Sequence, residues 1–347
     1  MKFPLVSIII LNWNGLRDTL ECLESVYKLD YPNFEVIVVD NGSTDGSVTV
    51  IREKYPQVIL IENKENLGYA GGNNIAMQYA MKQDADYVWL LNNDIVVESD
   101  SLSKLLGTSE SRPQIGLASP VVYYFNNPEM IQFCGSYVDF KNKTIVYPED
   151  KNLHIDDDFI DGENVCLWAA ALLIKKNIVE KIGYFEEKFF AYWEDTEYSV
   201  RALKSGYRNA VCTSAKVYHK TPKRQYPGAG IKRVPYYYYF MTRNMYYLGN
   251  KYFRSFLGHY LSFVLMLFKY CNEDINAEAA NACLQGAWDA FHGISGGRPM
   301  NAKAPASMRR IFYLCSSWHP YFWANLLKGN FSHILSEIIK RTMRRYS

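Results

Sequence analysis

The first hundred residues switch back and forth between two hydrophobic patterns, and this alternation limits the fold more than any other feature of the chain. Leu5-Val-Ser-Ile-Ile-Ile-Leu11 is an apolar, β-branched run, the pattern of a strand buried on both faces. Asn12-Trp-Asn-Gly15 breaks it, and Leu16, Leu20, Leu23, Val26 and Tyr27 follow at helical spacing. The succession then repeats, with strands predicted at Phe34–Val39, Val58–Ile61 and Tyr87–Leu91 and helices at Thr49–Lys54 and Asn73–Met81. Strands and helices alternating through short connections predict parallel βαβ units in a doubly wound α/β sheet. Such sheets bind ligands beyond the carboxyl ends of their strands, so the residues just after each strand are the candidates for chemistry.

Residues 115–220 mix predicted strands, Gly116–Tyr124 and Val165–Ile174, with a helix from about Glu194 to Ser205. Between them Lys141–Glu163 is polar and acidic and reads as a mobile excursion. From Pro235 onward the chain turns to tyrosines, Arg, Lys and long helical patterns, which puts a boundary near residue 230: a catalytic-type domain over 1–230 and a helical region over 231–347. The 347 residues suit one large domain, or a core with an appendage. The longest apolar runs, such as Leu261–Phe268, fall short of the roughly 20 residues a membrane helix needs. No secretory leader is expected ahead of the first strand. The seven cysteines are scattered and odd in number, without a CxxC, and read as reduced thiols of a cytosolic protein.

The net charge of +2 conceals an asymmetry. Residues 1–200 carry 16 Lys and Arg against 31 Asp and Glu, whereas residues 201–347 carry 22 against 5. An acidic half suits cations or a metal and a basic half suits anions; mutual neutralisation across an interface is the competing explanation.

Four strand ends stand out. Asp40 opens Asp40-Asn-Gly-Ser-Thr-Asp-Gly46, where a carboxylate can accept a hydrogen bond from a nucleobase imide or a ribose hydroxyl. Ser43 and Asp45 in the same stretch read as helix caps. Asn66-Leu-Gly-Tyr-Ala-Gly-Gly-Asn-Asn74 opens a helix with glycines at 68, 71 and 72, which suits either a nucleotide lying against the backbone or close packing. Leu91-Asn92-Asn93-Asp94 offers one carboxylate among amides, enough for a Mg²⁺ or Mn²⁺ ion that shares substrate phosphates, or for an Asx turn. Phe189-Phe-Ala-Tyr-Trp-Glu194-Asp195 sets two acids at a helix start behind aromatic residues. There they serve as helix-terminal anions or, with raised pKa, as a general base beside a sugar-stacking surface. His219 follows a further strand-like stretch.

In this order the pieces resemble glycosyltransferase family 2, the inverting transferases of GT-A fold. Seven segments carry the resemblance: Val6–Asn14, Val38–Gly46, Asn66–Asn74, Leu90–Asp94, Gly183–Glu187, Tyr192–Asp195 and Val217–His219. Within the family, the Asn-Asn-Asp and Tyr-Trp-Glu-Asp forms are most similar to rhamnosyltransferases of bacterial surface polysaccharide synthesis. The resemblance implies a GT-A, Rossmann-like nucleotide-sugar-binding domain with a mixed, mainly parallel sheet, plus a C-terminal helical region. It implies that Asp195 is the catalytic base, with Glu194 beside it orienting the acceptor. Asn12, Asn14, Asp40, Asn66, Gly68, Gly72, Asn73, Asn92 and Asn93 would hold the nucleotide sugar, with Asp40 reading the base. Asp94 and His219 would bind Mg²⁺ or Mn²⁺, and Trp168, Tyr192, Trp193 and Arg243 would contact acceptor or phosphate. Asn92 departs from the family by replacing the first carboxylate of its DxD motif, which lowers the negative charge available to a metal.

The implied reaction moves a sugar, L-rhamnose from dTDP-rhamnose or a hexose such as glucose, galactose or galactofuranose from UDP, to a hydroxyl of a glycan or polyprenyl-diphosphate-linked glycan. The Tyr-rich segment from Pro235 and the basic amphipathic stretch from His333 to Arg345 suit peripheral attachment to an anionic inner membrane face, or a homodimer. Nucleic-acid binding is not expected, because no recognition motif accompanies the basic half. A dehydrogenase is disfavoured because Asn12-Trp-Asn-Gly15 is no GxGxxG. The other class that remains is a non-catalytic nucleotide- or glycan-binding module.

Overall fold

The computed structural model describes residues 3–147, 159–162, 164–220, 234–273, 277–297 and 304–310. The predicted alternation forms as β1 (Val6–Asn12), α1 (Leu16–Val26), β2 (Phe34–Asp40), α2 (Ser47–Lys54), β3 (Ile59–Glu62), α3 (Gly68–Lys82) and β4 (Tyr87–Asn92). There follow β5 (Ile95–Val97), α4 (Ser101–Ser111), β6 (Ile115–Tyr124), β7 (Asn127–Phe133), β8 (Ser136–Asp139), β9 (Thr144–Val146), β10 (Phe159–Gly162) and β11 (Val165–Cys166). The remaining elements are β12 (Ala171–Lys175), α5 (Lys176–Ile182), α6 (Glu194–Lys204), β13 (Arg208–His219), α7 (Pro235–Tyr252), α8 (Leu257–Glu273) and α9 (Ala277–Phe291).

The main sheet runs β10-β13-β6-β12-β4-β1-β2-β3, with β5 added on β13 and β7 on β6. β1 pairs in parallel with β2 and β4, β2 with β3, and β6 with β13, while β12 enters antiparallel between β4 and β6. The sheet is therefore mixed and mainly parallel. Successive residues of β1 face opposite cores: Ile8 and Ile10 pack with Leu23, Ile51 and Leu105 on one side, Ile9 with Ala76, Ile178 and Tyr198 on the other. Burial on both faces explains the unbroken apolar runs.

Three expectations change. The glycines at 68, 71 and 72 lie inside the first turns of α3, which begins five residues before the predicted start. The predicted strand over 165–174 is split into β11 and β12 by Leu167–Ala170, a break the site uses. The polar excursion after Lys141 contains β9, in a three-stranded sheet ordered β11-β8-β9, and β10, on the edge of the main sheet; backbone pairing there needs no apolar side chains.

The chain divides into two compact units, Met1–Asp139 with Thr144–Lys223, and Phe140–Lys143 with Arg224–Ser347. The second contains α7, α8 and α9. Gly286 lets α9 meet α7, since a Cβ there would stand 2.3 Å from the Tyr239 carbonyl oxygen. The Tyr239 hydroxyl donates to the buried Asp289 carboxylate at 2.7 Å, and Tyr246, Tyr260 and Phe291 pack edge to face. Helix packing thus absorbs much of the tyrosine run. Among the described residues no helix is long and apolar enough to cross a membrane. The basic stretch 333–345 lies outside the described residues.

Candidate active site

Strand register sets the site's floor. Asn12 is paired with Asp40, and Leu11 with Asn92, so the ends of β1, β2 and β4 lie side by side. Asn12 Nδ2 donates to Asp40 Oδ2 at 2.8 Å and to Ser43 Oγ at 3.1 Å, and Ser43 N–H donates to Asp40 Oδ1 at 2.8 Å. Asn12 Oδ1 accepts the Thr19 hydroxyl at 2.8 Å, and Asn14 Oδ1 accepts Thr44 N–H at 2.7 Å. Asp40 is thereby buried inside a knot that ties the first two loops together. Asp45 accepts Leu16 N–H at 3.1 Å and Ser47 N–H at 3.1 Å, capping α1 and α2 as expected. Burial pushes its carboxyl up, but the Ser47 hydroxyl and these two N–H groups outweigh it and hold the carboxyl below its usual range.

The glycines of the third loop pack against protein instead of leaving open backbone. Gly68 has φ +75°, and a Cβ on it would stand 2.4 Å from the Phe190 carbonyl oxygen; a Cβ on Gly72 would stand 2.5 Å from Leu11 Cδ1. Asn73 is buried and donates to the Tyr69 carbonyl at 2.9 Å. The expectation that Gly68 and Gly72 leave open backbone for the nucleotide is corrected accordingly: they seat α3 against residue 190 and against β1, while Asn73 Oδ1 is a buried acceptor without a hydrogen-bond partner. Asn66 Oδ1 caps this turn, accepting Gly68 N–H at 2.8 Å and Asn41 Nδ2 at 3.0 Å. Asn41, which sequence reading passed over, is buried between the two loops and also bonds Gly68 O, Asn63 Nδ2 and Leu67 N–H.

After β4 the chain turns at Asn93–Asp94 and returns as β5, which pairs with the end of β13 in the register His219 to Ile95. This brings His219 Nε2 to 3.2 Å from Asp94 Oδ1. Asp94 Oδ1 and Asn92 Oδ1 are buried atoms without an aligned hydrogen bond. Two ligands on adjacent corners of an octahedral ion at about 2.1 Å stand roughly 3 Å apart, so the Asp94–His219 pair fits a divalent cation. Among the described residues no third His, Cys, Asp or Glu completes a protein-only cage, which suits an ion that draws its other ligands from phosphate and water. The Asn93 amide turns the other way, donating to Thr19 Oγ1 at 3.1 Å, and ties the turn to α1.

The acid pair occupies the first two positions of α6. Phe190, Tyr192 and Trp193 before it have φ of 62°, 66° and 72°, three non-glycine residues in the left-handed region. Such strain persists only where surrounding structure imposes it, and it clusters at functional sites. Asp195 is half-buried, with Oδ2 accepting Ala169 N–H at 3.3 Å and Oδ1 accepting Thr196 N–H at 2.6 Å. Burial raises its pKa, opposed by those N–H donors. Glu194 is buried, and burial together with the Asp195 charge holds its carboxyl well above the usual range. Glu194 Oε2 meets no hydrogen-bond donor. Of the two, Glu194 is pushed the further up, so Asp195 is the stronger acid of the pair.

A short strip joins the two chemical centres. Ala169 N–H bonds Asp195, and the next residue, Ala170, accepts Asn92 N–H at 2.9 Å. Tyr69, also unforeseen, donates its hydroxyl to the Ala169 carbonyl at 2.6 Å, and burial pushes that hydroxyl well above its usual range. Trp168 stacks on Phe133 with ring centroids 4.1 Å apart, and Tyr192 is half-buried. Trp193, expected at an acceptor surface, is 7 % exposed and offers no open face. Arg243, expected at phosphate, is buried in the helical unit, where it donates to Gly296 O at 2.6 Å and Asn244 Oδ1 at 2.9 Å. The exposed aromatic beside the knot is Trp13, 55 % accessible.

A mainly parallel α/β sheet with a carboxylate pair and a candidate metal pair at one edge defines the nucleotide-sugar transferase class of GT-A fold. The chain belongs to Glycosyl transferase family 2, whose family model matches residues 7–183. It is 26% identical over 208 residues to the N-acetylglucosaminyl-diphospho-decaprenol L-rhamnosyltransferase of Mycobacterium tuberculosis, an alignment covering 53% of this chain and 66% of that protein. It is 24% identical over 227 residues to the low-salt glycan biosynthesis hexosyltransferase Agl10 of Haloferax volcanii, covering 63% and 68%. The first of these alignments thus spans just under two thirds of the relative's length. Among solved structures, the fold is similar to a mannosyltransferase from Pyrobaculum calidifontis in complex with GDP-Man and Mn²⁺, at TM-score 0.53 and 18% identity over 98% of this chain and 87% of that one. It is also similar to GalNAc-T7 with UDP, GalNAc and Mn²⁺, at TM-score 0.59 and 14% identity over 84% and 58%.

Proposed function

We propose that this protein transfers a sugar, with inversion, from a nucleotide donor to a hydroxyl of a glycan or lipid-linked glycan. The observation that carries the reading is the acid pair: Asp195, oriented by Ala169 N–H, is bound through Ala169–Ala170 to the end of β4, next to Asp94. Inverting transfer is an in-line displacement in which the acceptor hydroxyl attacks the anomeric carbon as the nucleoside diphosphate departs. Asp195 takes the hydroxyl proton, a contribution on the order of 10²–10⁴-fold. Glu194, whose carboxyl is pushed well up by burial, resists taking a second charge beside the approaching hydroxyl. The Asn12–Asp40–Ser43 knot, with Asn14, Asn66 and Asn92, is assigned to the nucleotide; Trp168 and Tyr192 are assigned to the acceptor side.

Asp94 and His219 would hold Mg²⁺ or Mn²⁺, which would neutralise charge growing on the departing diphosphate. Support comes from the spacing of the pair and from the Mn²⁺ complexes of two proteins of similar fold.

L-Rhamnose from dTDP-rhamnose is the preferred donor, supported by the mycobacterial relative. A UDP-hexose is the second reading, supported by the hexosyltransferase relative and by similarity, at 26% identity over 46% of this chain and 27% of the relative, to the galactofuranosyltransferase GlfT2 of Mycolicibacterium smegmatis. Attachment to an anionic membrane surface on the cytoplasmic side is supported by the excess of Lys and Arg after residue 200. A homodimer through the same region is the competing arrangement. The test is nucleoside-diphosphate release from a panel of dTDP-, UDP- and GDP-sugars with Mg²⁺, Mn²⁺ or EDTA. Release from one donor, lost in Asp195→Asn, supports the transferase and identifies the sugar; failure to bind any nucleotide defeats the reading.

A further inference from the structure

His219 is held from both sides of its ring. Nε2 lies 3.2 Å from Asp94 Oδ1, and Nδ1 lies 2.9 Å from Oε1 of Gln132, a residue of β7. Gln132 is 87 residues away in sequence and reaches the site because β7 folds back antiparallel on β6, which pairs with β13. An amide oxygen only accepts, so the Nδ1 that meets it carries the hydrogen. Nε2 is then the ring nitrogen turned to Asp94 and the one placed to ligate a cation.

We propose that Gln132 is a positioning residue: it fixes the ring orientation and tautomer of His219 so that Nε2 and Asp94 Oδ1 together face a divalent cation. The proposal rests on the reading of Asp94 and His219 as the metal pair. Outer-shell partners of metal-bound histidines set ligand geometry and basicity, and their loss lowers metal affinity by roughly 10–100-fold. Gln132 suits this task because its carbonyl end accepts without adding charge. A carboxylate in its place would make the imidazole a stronger donor.

The test compares the full-length protein with Gln132→Met, Gln132→Glu, Asp94→Asn and His219→Gln. Binding of Mn²⁺, alone and with UDP or dTDP, is followed by electron paramagnetic resonance. The His219 tautomer is read by long-range ¹H–¹⁵N correlation, its signal assigned from its loss in His219→Gln. The expected result is a weakening of Mn²⁺ binding by roughly 10–100-fold in Gln132→Met, with loss of the Nδ1–H signature and unchanged nucleotide binding in EDTA. Gln132→Glu retains both the signature and the affinity. If Gln132→Met binds Mn²⁺ like the unaltered protein while Asp94→Asn does not, the metal pair stands and the role of Gln132 is overturned. If Asp94→Asn and His219→Gln also bind Mn²⁺ normally, the metal reading and the proposal fall together.

Discussion

Phe190 holds its carbonyl oxygen where a side chain on Gly68 would begin: a Cβ at residue 68 would stand 2.4 Å from that oxygen. Ala70 N–H donates to the same oxygen at 3.1 Å. The start of α3 is thus pressed against the left-handed segment that delivers Glu194 and Asp195. Gly68→Ala combines this clash with an unfavourable φ of +75° and is expected to destabilise the protein by about 1–3 kcal/mol. The turnover rate should fall further than donor affinity does. Urea denaturation, with separate measurement of kcat and donor Kd, checks both; equal losses in the two would argue against a base-positioning effect.

The acid pair predicts a pH profile. Burial raises the pKa of Asp195, and the base works only when deprotonated. Activity should therefore fall, on lowering the pH, at a value above the ordinary carboxylate range. Glu194→Gln should leave this acid limb in place, because Glu194 is the weaker acid of the pair. Asp195→Asn should lower the rate by about 10²–10⁴-fold with donor binding kept. Rate–pH curves for the three proteins decide it, and an acid limb that moves with Glu194 would exchange the two roles.

Metal removal gives a third outcome. Asp94 carries the single carboxylate of the candidate pair, because its neighbour two residues back is Asn92. Asp94→Asn should weaken Mn²⁺ binding at least roughly tenfold, whereas Asn92→Asp should strengthen it by adding a carboxylate. Titration calorimetry in the presence of a nucleoside diphosphate measures both. A variant Asn92→Asp with unchanged affinity would place residue 92 away from the ion.

The support of α6 is a stability question. Glu197, wholly buried, pairs with Arg201 at 2.8 Å, and Arg201 also donates to Tyr184 O at 2.9 Å and to Ile182 O at 2.5 Å. Removing the guanidinium takes the salt-bridge partner from a buried carboxylate. Arg201→Met should therefore cost about 3–5 kcal/mol. A double variant Arg201→Met/Glu197→Gln should recover part of that loss in the same denaturation experiment.

Much of the architecture could be read directly. Hydrophobic runs such as Leu5–Leu11 need burial on both faces, and the helical spacing between them leaves a parallel sheet as the outcome. The position of Asp40, Asn92, Asp94, Glu194, Asp195 and His219 at element ends was legible for the same reason, since those ends are marked by local breaks in pattern. Asp45 as a cap of α2 was equally local, because it serves a backbone group two residues away; its bond to Leu16, 29 residues back, depends on the fold.

Tertiary structure decided what depends on distant registry. The glycines of α3 looked like a ligand cradle, yet their missing side chains make room for Leu11 and Phe190. Trp193 and Arg243 looked available and are enclosed, because an aromatic or guanidinium side chain has no periodic signature of the partner that covers it. Gln132 carried no sequence signal, and Tyr69 and Asn41 carried none beyond lying in two of the segments of the resemblance. Each acts through one or more hydrogen bonds to a residue at least 22 positions away, set by strand order and the β5–β13 and β6–β7 pairings. By itself the sequence determined which elements form and which residues sit at their ends, since both follow from local periodicity. The folded sheet alone decided which of those ends meet, since a hydrogen bond of 3 Å follows from registry between strands that local pattern does not encode.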